Sequence, residues 1–336
     1  MPPVNSVEVM KIVFAEDVLQ APECWRYLDT ILGSVEDGWH LWLIDDPDML
    51  EESQWLQGTN RPFLRKLFEE STVHNAYSTA GGLHSKRWVV SFEPAADVLT
   101  PQAAACFFTQ PLYVFVENRY SDGLFIETVL KYLAPKRLLN FLQDCQNRPW
   151  KCDSVGGTGQ LPKLIRNHAD EMADKNLPPH AVVFTDSDSR FPGHVSKKAK
   201  EIKEACDDYD VTCLILSKRS IENYIPDEIL RAWAQETDNK PARSRIEVIC
   251  RLTEEQRDHL AIKKTFRPQE FNLQEQALFA TIHDDDIKIM RKKNTLGNDL
   301  IESLQTHKDH LSAKALCQRD GNGDLDKLVT MIEQAL

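Results

Sequence analysis

Acidic residues standing at the ends of apolar runs are the chemistry-bearing feature of this chain. Leu112-Tyr-Val-Phe-Val116 runs into Glu117, Ala181-Val-Val-Phe-Thr185 runs into Asp186-Ser-Asp188, and Val211-Thr-Cys-Leu-Ile-Leu216 runs into a segment holding Lys218, Ser220 and Glu222. Carboxylates gathered in one place repel and raise one another's pKa, so such an arrangement is costly unless a cation joins it. Mg²⁺, or Mn²⁺ in its place, relieves that cost, because Mg²⁺ takes hard oxygen ligands and keeps positions open for water and substrate phosphate. An ion so held polarises a phosphoryl oxygen and activates water, and a second ion stabilises the leaving oxygen. Phosphodiester cleavage is the natural chemistry. Taken singly, each residue has a plainer reading: an acid after a strand caps a helix, and Asp and Ser favour turns. The set is more specific than its members.

What must position these residues is a regular alternation. Apolar runs at 112–116, 152–155, 181–185 and 211–216 read as strands, and spacing through Phe125, Val129, Leu130 and Leu133 predicts a helix over 122–133, with further helices over 160–174 and 194–206. A β-α-β-α-β-α-β order implies right-handed crossovers and a parallel sheet. In such a sheet ligands collect beyond the carboxyl ends of the strands, where the three acidic segments would converge. Upstream, strands at 11–15, 40–44 and 87–92 with a helix over 22–32 read as a smaller α/β unit. Downstream the pattern turns helical and charged, over 228–236, 243–257, 274–280, 299–311 and 325–335, with Gly297-Asn298 marking one helix boundary. The expected organisation is therefore an N-terminal α/β region over 1–110, a catalytic core over 111–227 and a helical cap over 228–336. No internal repeat is visible in the sequence.

Bulk properties narrow the class without fixing a partner. The 336 residues carry a formal net charge of −12, which disfavours a surface uniformly attractive to phosphate while leaving room for a local basic groove. No run reaches the roughly 18 apolar residues of a membrane span, and no secretory leader is visible at the start, so a cytoplasmic protein with no membrane partner is expected. Eight scattered cysteines form no CxxC pair and read as buried reduced thiols.

Val114-Phe-Val-Glu117 followed by Ser121-Asp122, together with Val183-Phe-Thr-Asp186-Ser-Asp188, resembles the signature of TOPRIM domains. Leu216-Ser-Lys-Arg-Ser220-Ile-Glu222-Asn-Tyr-Ile-Pro226 is similar to the acidic segment after the fourth strand in the TOPRIM branch of the overcoming-lysogenization-defect (OLD) nucleases and related bacterial anti-phage defence nucleases. The resemblance covers roughly a third of the chain. It implies a TOPRIM-like parallel sheet flanked by helices and a metal-dependent nuclease. Glu117 would be a metal ligand or general base, Asp122, Asp186 and Asp188 metal ligands, and Glu222 a ligand of a second ion. Lys218 would stabilise charge on the phosphate or protonate the leaving oxygen. The substrate would be nucleic acid, DNA before RNA. OLD-type proteins often join this domain to an ATPase, and with no GxxxxGK[ST] loop in this chain the resemblance implies a separate ATPase partner. A homo-oligomer stays open.

Other signals are weaker. Asp45, Asp46 and Asp48 suit a solvated strand exit, His283-Asp-Asp-Asp286 an acidic helix start, and Asp320-Gly-Asn-Gly-Asp324 lacks the Gly and Glu that a calcium loop requires. Gly156-Gly157 would let backbone approach the cluster or simply make a turn. Lys263-Lys264 with Phe266 and Arg267, and Arg291-Lys292-Lys293, suit either a phosphate backbone or solvated helix faces. Competing functions are an Asp-x-Asp phosphatase or nucleotide-sugar glycosyltransferase, which leaves Glu117 and Glu222 unexplained, and an inactive TOPRIM-like binding or assembly subunit. The five-residue interval from Glu117 to Asp122 supports the latter.

Overall fold

The computed structural model describes residues 10–58, 62–78, 86–145, 147–154, 156, 158–292, 296 and 299–336. The chain is α/β, with two four-stranded sheets. The first contains β1 (Lys11–Phe14), β2 (Leu41–Trp42), β3 (Arg87–Val90) and β4 (Val98–Leu99) in the order β2-β1-β3-β4. The second contains β5 (Leu112–Phe115), β6 (Trp150–Asp153), β7 (Ala181–Thr185) and β8 (Thr212–Ile215) in the order β6-β5-β7-β8. Every pairing in both is parallel. The two sheets thus share one strand order, a correspondence that the sequence does not display.

In the second sheet the chain moves from β5 outward to β6, then returns past β5 to β7 and β8. Because right-handed crossovers in opposite directions lie on opposite faces, the helix Ser121–Leu133 covers one face, and the helices Leu161–Asp174 and Lys197–Asp208 cover the other. The side chains follow. Val114, Val182 and Phe184 pack with Phe125 and Val129 on the first face, while Phe115 and Val183 pack with Leu161, Ile165 and Ile202 on the second. All five residues of β7 are buried, as expected of a strand covered on both sides.

The C-terminal helices complete the first face. The last helix, Asp324–Ala335, packs against β7, β8 and the helix Ser121–Leu133, and its Leu325, Leu328 and Ile332 belong to the same core as Val114 and Phe184. The last helix of the C-terminal region thus covers one face of the sheet. The expected helix over 243–257 is two helices, Lys240–Ile249 and Glu254–His259. Thr253 interrupts them by starting the second with a reciprocal cap to Gln256.

The first sheet has its own core, in which Ile12, Phe14, Trp42 and Val90 pack with Leu28, Ile31 and Phe108. Met172 and Leu177 from the second unit join it. Trp39 Nε1 also donates to the carbonyl of Asn147 at 2.9 Å. The Gly297-Asn298 boundary, Val155 and Gly157 lie outside the described residues.

Candidate active site

Adjacent strands deliver the acids to one edge. Glu117 follows β5, and Thr185, the last residue of β7, donates its hydroxyl to Glu117 Oε1 at 3.0 Å. Asp186 comes next, and its Oδ1 accepts the Ile221 amide at 3.0 Å, which ties the segment after β8 to the end of β7. Asp188 adopts left-handed backbone, φ 50°, and its amide donates to the Arg219 carbonyl at 3.0 Å. Asp tolerates that region better than most side chains, and Asp97, Asn176 and Asp210 adopt it as well. Ser187, between the two acids, and Ser189, after them, hold the turn from the inside. Ser187 Oγ donates to the Lys218 carbonyl at 2.7 Å, and the Ser189 hydroxyl stands 3.0 Å from His259 Nδ1.

Glu222 lies on the turn Ile221–Tyr224 and is 1% exposed. Ser220 Oγ donates to its Oε2 at 2.7 Å. Its Oε1 is 2.7 Å from Lys263 Nζ, an ion pair lacking hydrogen-bond alignment. Asp122, buried at the start of the helix Ser121–Leu133, accepts the Asn118 amide at 2.9 Å and the Ser121 hydroxyl at 3.2 Å.

These carboxyls act on one another. Burial drives the Asp186 carboxyl well above the usual range, and Glu222, Asp122, Glu117 and Asp188 all push the same way. Glu117 is pushed up to about 7, by burial first; the Thr185 hydrogen bond offsets part of this, and Asp122 and Asp188 add to it. Asp122 is pushed up to about 6 by burial, against its two hydrogen bonds and with Glu222 adding to the rise. Lys263 is held above its ordinary range: burial opposes its charge, but Glu222, Asp186 and Asp122 outweigh that loss. Glu117, Asp122, Asp186, Asp188 and Glu222 are therefore brought together, with Lys263 as a cation among them.

Lys218 is not with them. Its Nζ is 2.7 Å from both Asp258 Oδ1 and the Arg319 carbonyl oxygen, and the residue is 2% exposed. The expected contact with phosphate is thus corrected: Lys218 turns into the seam with the C-terminal helices, where Arg319 also pairs with Asp258. The lysine that faces the acids is Lys263, which the sequence offered only as one of several basic residues. Nothing in local spacing could single it out, because it reaches Glu222 through the packing of the helical region. Gly156 has a positive φ of 75° and no atom within 4 Å of an added Cβ, so it makes a turn and not a close approach.

The other signals have structural partners. Asp45 pairs with Arg87, and Asp46 caps the helix Pro47–Glu52 through the Met49 amide. His283 caps the helix Asp284–Met290. Asp320 accepts the amides of Asp324 and Leu325 across a turn whose Gly321 and Gly323 both have positive φ.

Among the described residues, no group of three or more His, Cys, Asp or Glu side chains is arranged to hold a metal ion. The donor set nevertheless suits Mg²⁺, which needs only one or two carboxylates when water and substrate phosphate complete its shell. All five acids offer hard oxygen, and the other four all raise the Asp186 carboxyl, the repulsion that a cation would relieve. No family model, curated protein or solved structure matches the chain. Among the described residues no helix is long and apolar enough to cross a membrane.

Proposed function

We propose that the chain is a TOPRIM-type, divalent-metal-dependent nuclease that hydrolyses phosphodiester bonds. The observation that carries this reading is the convergence of five acids from the segments after β5, β7 and β8 around the half-buried Asp186, with Lys263 paired to Glu222 and Lys198 and Arg219 acting on Glu117 and Asp188. Asp186 with one neighbouring carboxylate, from Asp188 or from Glu117 where Glu117 is not the base, would hold Mg²⁺ or Mn²⁺ with water and substrate phosphate completing the shell, while Glu222 and Asp122 would serve a second ion. Such an ion polarises the phosphoryl group when bound. Glu117, lifted to about 7 by burial, is poised to take a proton from water near neutral pH. Lys263, 42% exposed, can leave Glu222 for a phosphate oxygen, the role that the position of Lys218 denies it.

The resemblance to OLD-type nucleases supports a role in anti-phage defence with an ATPase encoded elsewhere. The test is cleavage of plasmid, single-stranded DNA and RNA with Mg²⁺ or Mn²⁺. EDTA, Asp186→Asn and Asp188→Asn should each abolish the activity while the fold persists. One observation favours a second reading, an assembly subunit whose cluster needs no metal: Lys263 already pairs with Glu222. Metal-independent melting together with no cleavage of any substrate would put that reading ahead.

A further inference from the structure

We infer that Tyr120 is a base-stacking platform beside the acidic cluster, and that the site takes nucleic acid with unpaired bases in preference to an intact duplex. The inference rests on the nuclease reading and names its substrate class. Tyr120 is 60% exposed, more than any other aromatic side chain among the described residues. A single exposed aromatic is ordinary; its position here is not. Tyr120 lies on the short loop between Glu117 and Asp122, and three residues of chain place it within about 11 Å of Glu117.

The loop is also held. Asn118 Oδ1 accepts the amides of Tyr120 at 2.9 Å and Ser121 at 3.3 Å, so the backbone that carries the ring is fixed. An outward ring on a held turn is a pre-organised surface that packing does not require.

The faces of the bases point to the same substrate. Stacking on an aromatic ring tolerates any base, because every base has a π-face. A duplex keeps its base faces inside the stack, so only an unpaired or frayed base can use the ring.

The experiment uses the full chain carrying Asp186→Asn, so that substrate is bound and not cut, with Mg²⁺ and labelled oligonucleotides of one sequence as single strand and duplex. The single strand should bind more tightly. Adding Tyr120→Ala should weaken single-strand binding about 5- to 100-fold and leave duplex binding in place, while Tyr120→Phe, which keeps the ring and loses only the hydroxyl, should retain it. A 2-aminopurine in the strand should lose fluorescence on binding with Tyr120 present and not with Ala. Preference for duplex, equal losses on both forms, or no change with Tyr120→Ala would overturn the inference. Cleavage by the unmodified chain separates the two readings. Absence of cleavage on every substrate tells against the nuclease, whereas duplex cleavage at least as fast as single-strand cleavage and indifferent to Tyr120→Ala tells against the stacking platform alone.

Discussion

At the scale of single residues, the cluster stores repulsion that a cation relieves, and this has a definite sign with pH. Between its ordinary pKa of 4.5 and the raised value of about 7, folded Glu117 keeps a proton that the unfolded chain has released, so stability falls as pH climbs through that window. Asp122 contributes in the same direction, through a window ending near 6. In chelator the melting temperature should therefore drop from pH 5 to pH 8, with a loss on the order of 3 kcal/mol from Glu117 alone. Asp186→Asn should raise the melting temperature at the upper end, because it removes the carboxyl on which all four neighbouring acids act. A curve that is flat or rises over this range would contradict the electrostatic account. Lys263 gives a second prediction. Lys263→Ala leaves Glu222 buried without its counter-charge and should destabilise the metal-free chain by about 1–3 kcal/mol, the lysine being partly solvated. Glu222→Gln should restore most of that loss, and thermal melting of the single and double variants measures it.

At the scale of elements, the positions of the acids were legible because buried parallel strands are written as unbroken apolar runs. Ala181–Thr185 is read directly, and the acid after each run falls at the edge where ligands gather. Boundaries set by capping were legible only in part. Thr100-Pro101 starts the helix Pro101–Phe108 by an ordinary side-chain cap, yet the helix is short and uniformly apolar and shows no periodicity of its own. β4, at two residues, offers no pattern at all. The direction of Lys218 was illegible for a different reason: its partners Asp258 and Arg319 are distant in sequence. The same seam yields a prediction. Asp324, 2% exposed, accepts from the Ser217 amide at 2.7 Å, the Ser217 hydroxyl at 2.6 Å and the Tyr224 hydroxyl at 2.5 Å. Asp324→Ala should cost about 2–4 kcal/mol, since several buried donors lose their acceptor together. It should also weaken metal binding, because Ser217 and Tyr224 flank the turn that carries Glu222. Unchanged metal affinity in a destabilised Asp324→Ala chain would separate the seam from the site.

At the scale of the whole molecule, two parallel sheets share one strand order, and each has an acid a few residues beyond its first strand, Asp17 in the helix Glu16–Leu19 and Glu117 after β5, that accepts a hydroxyl from the end of the neighbouring strand. Ser91 Oγ donates to Asp17 Oδ2 at 2.7 Å in the first sheet, as Thr185 does to Glu117 in the second. The first sheet stops there: Asp17 also takes the Phe92 amide at 2.7 Å and closes its own edge. The second sheet adds an Asp-Ser-Asp turn, a turn after its fourth strand bearing Glu222, and the C-terminal region that supplies Lys263. This concentration of acid around Asp186 is the central claim, and metal-dependent cleavage by matched proteins tests it most directly. With Mg²⁺ or Mn²⁺ the unmodified chain should cut nucleic acid, EDTA should stop it, and Asp186→Asn should reduce the rate at least about 100-fold with the fold retained by circular dichroism. Cleavage that survives both EDTA and Asp186→Asn would contradict the account.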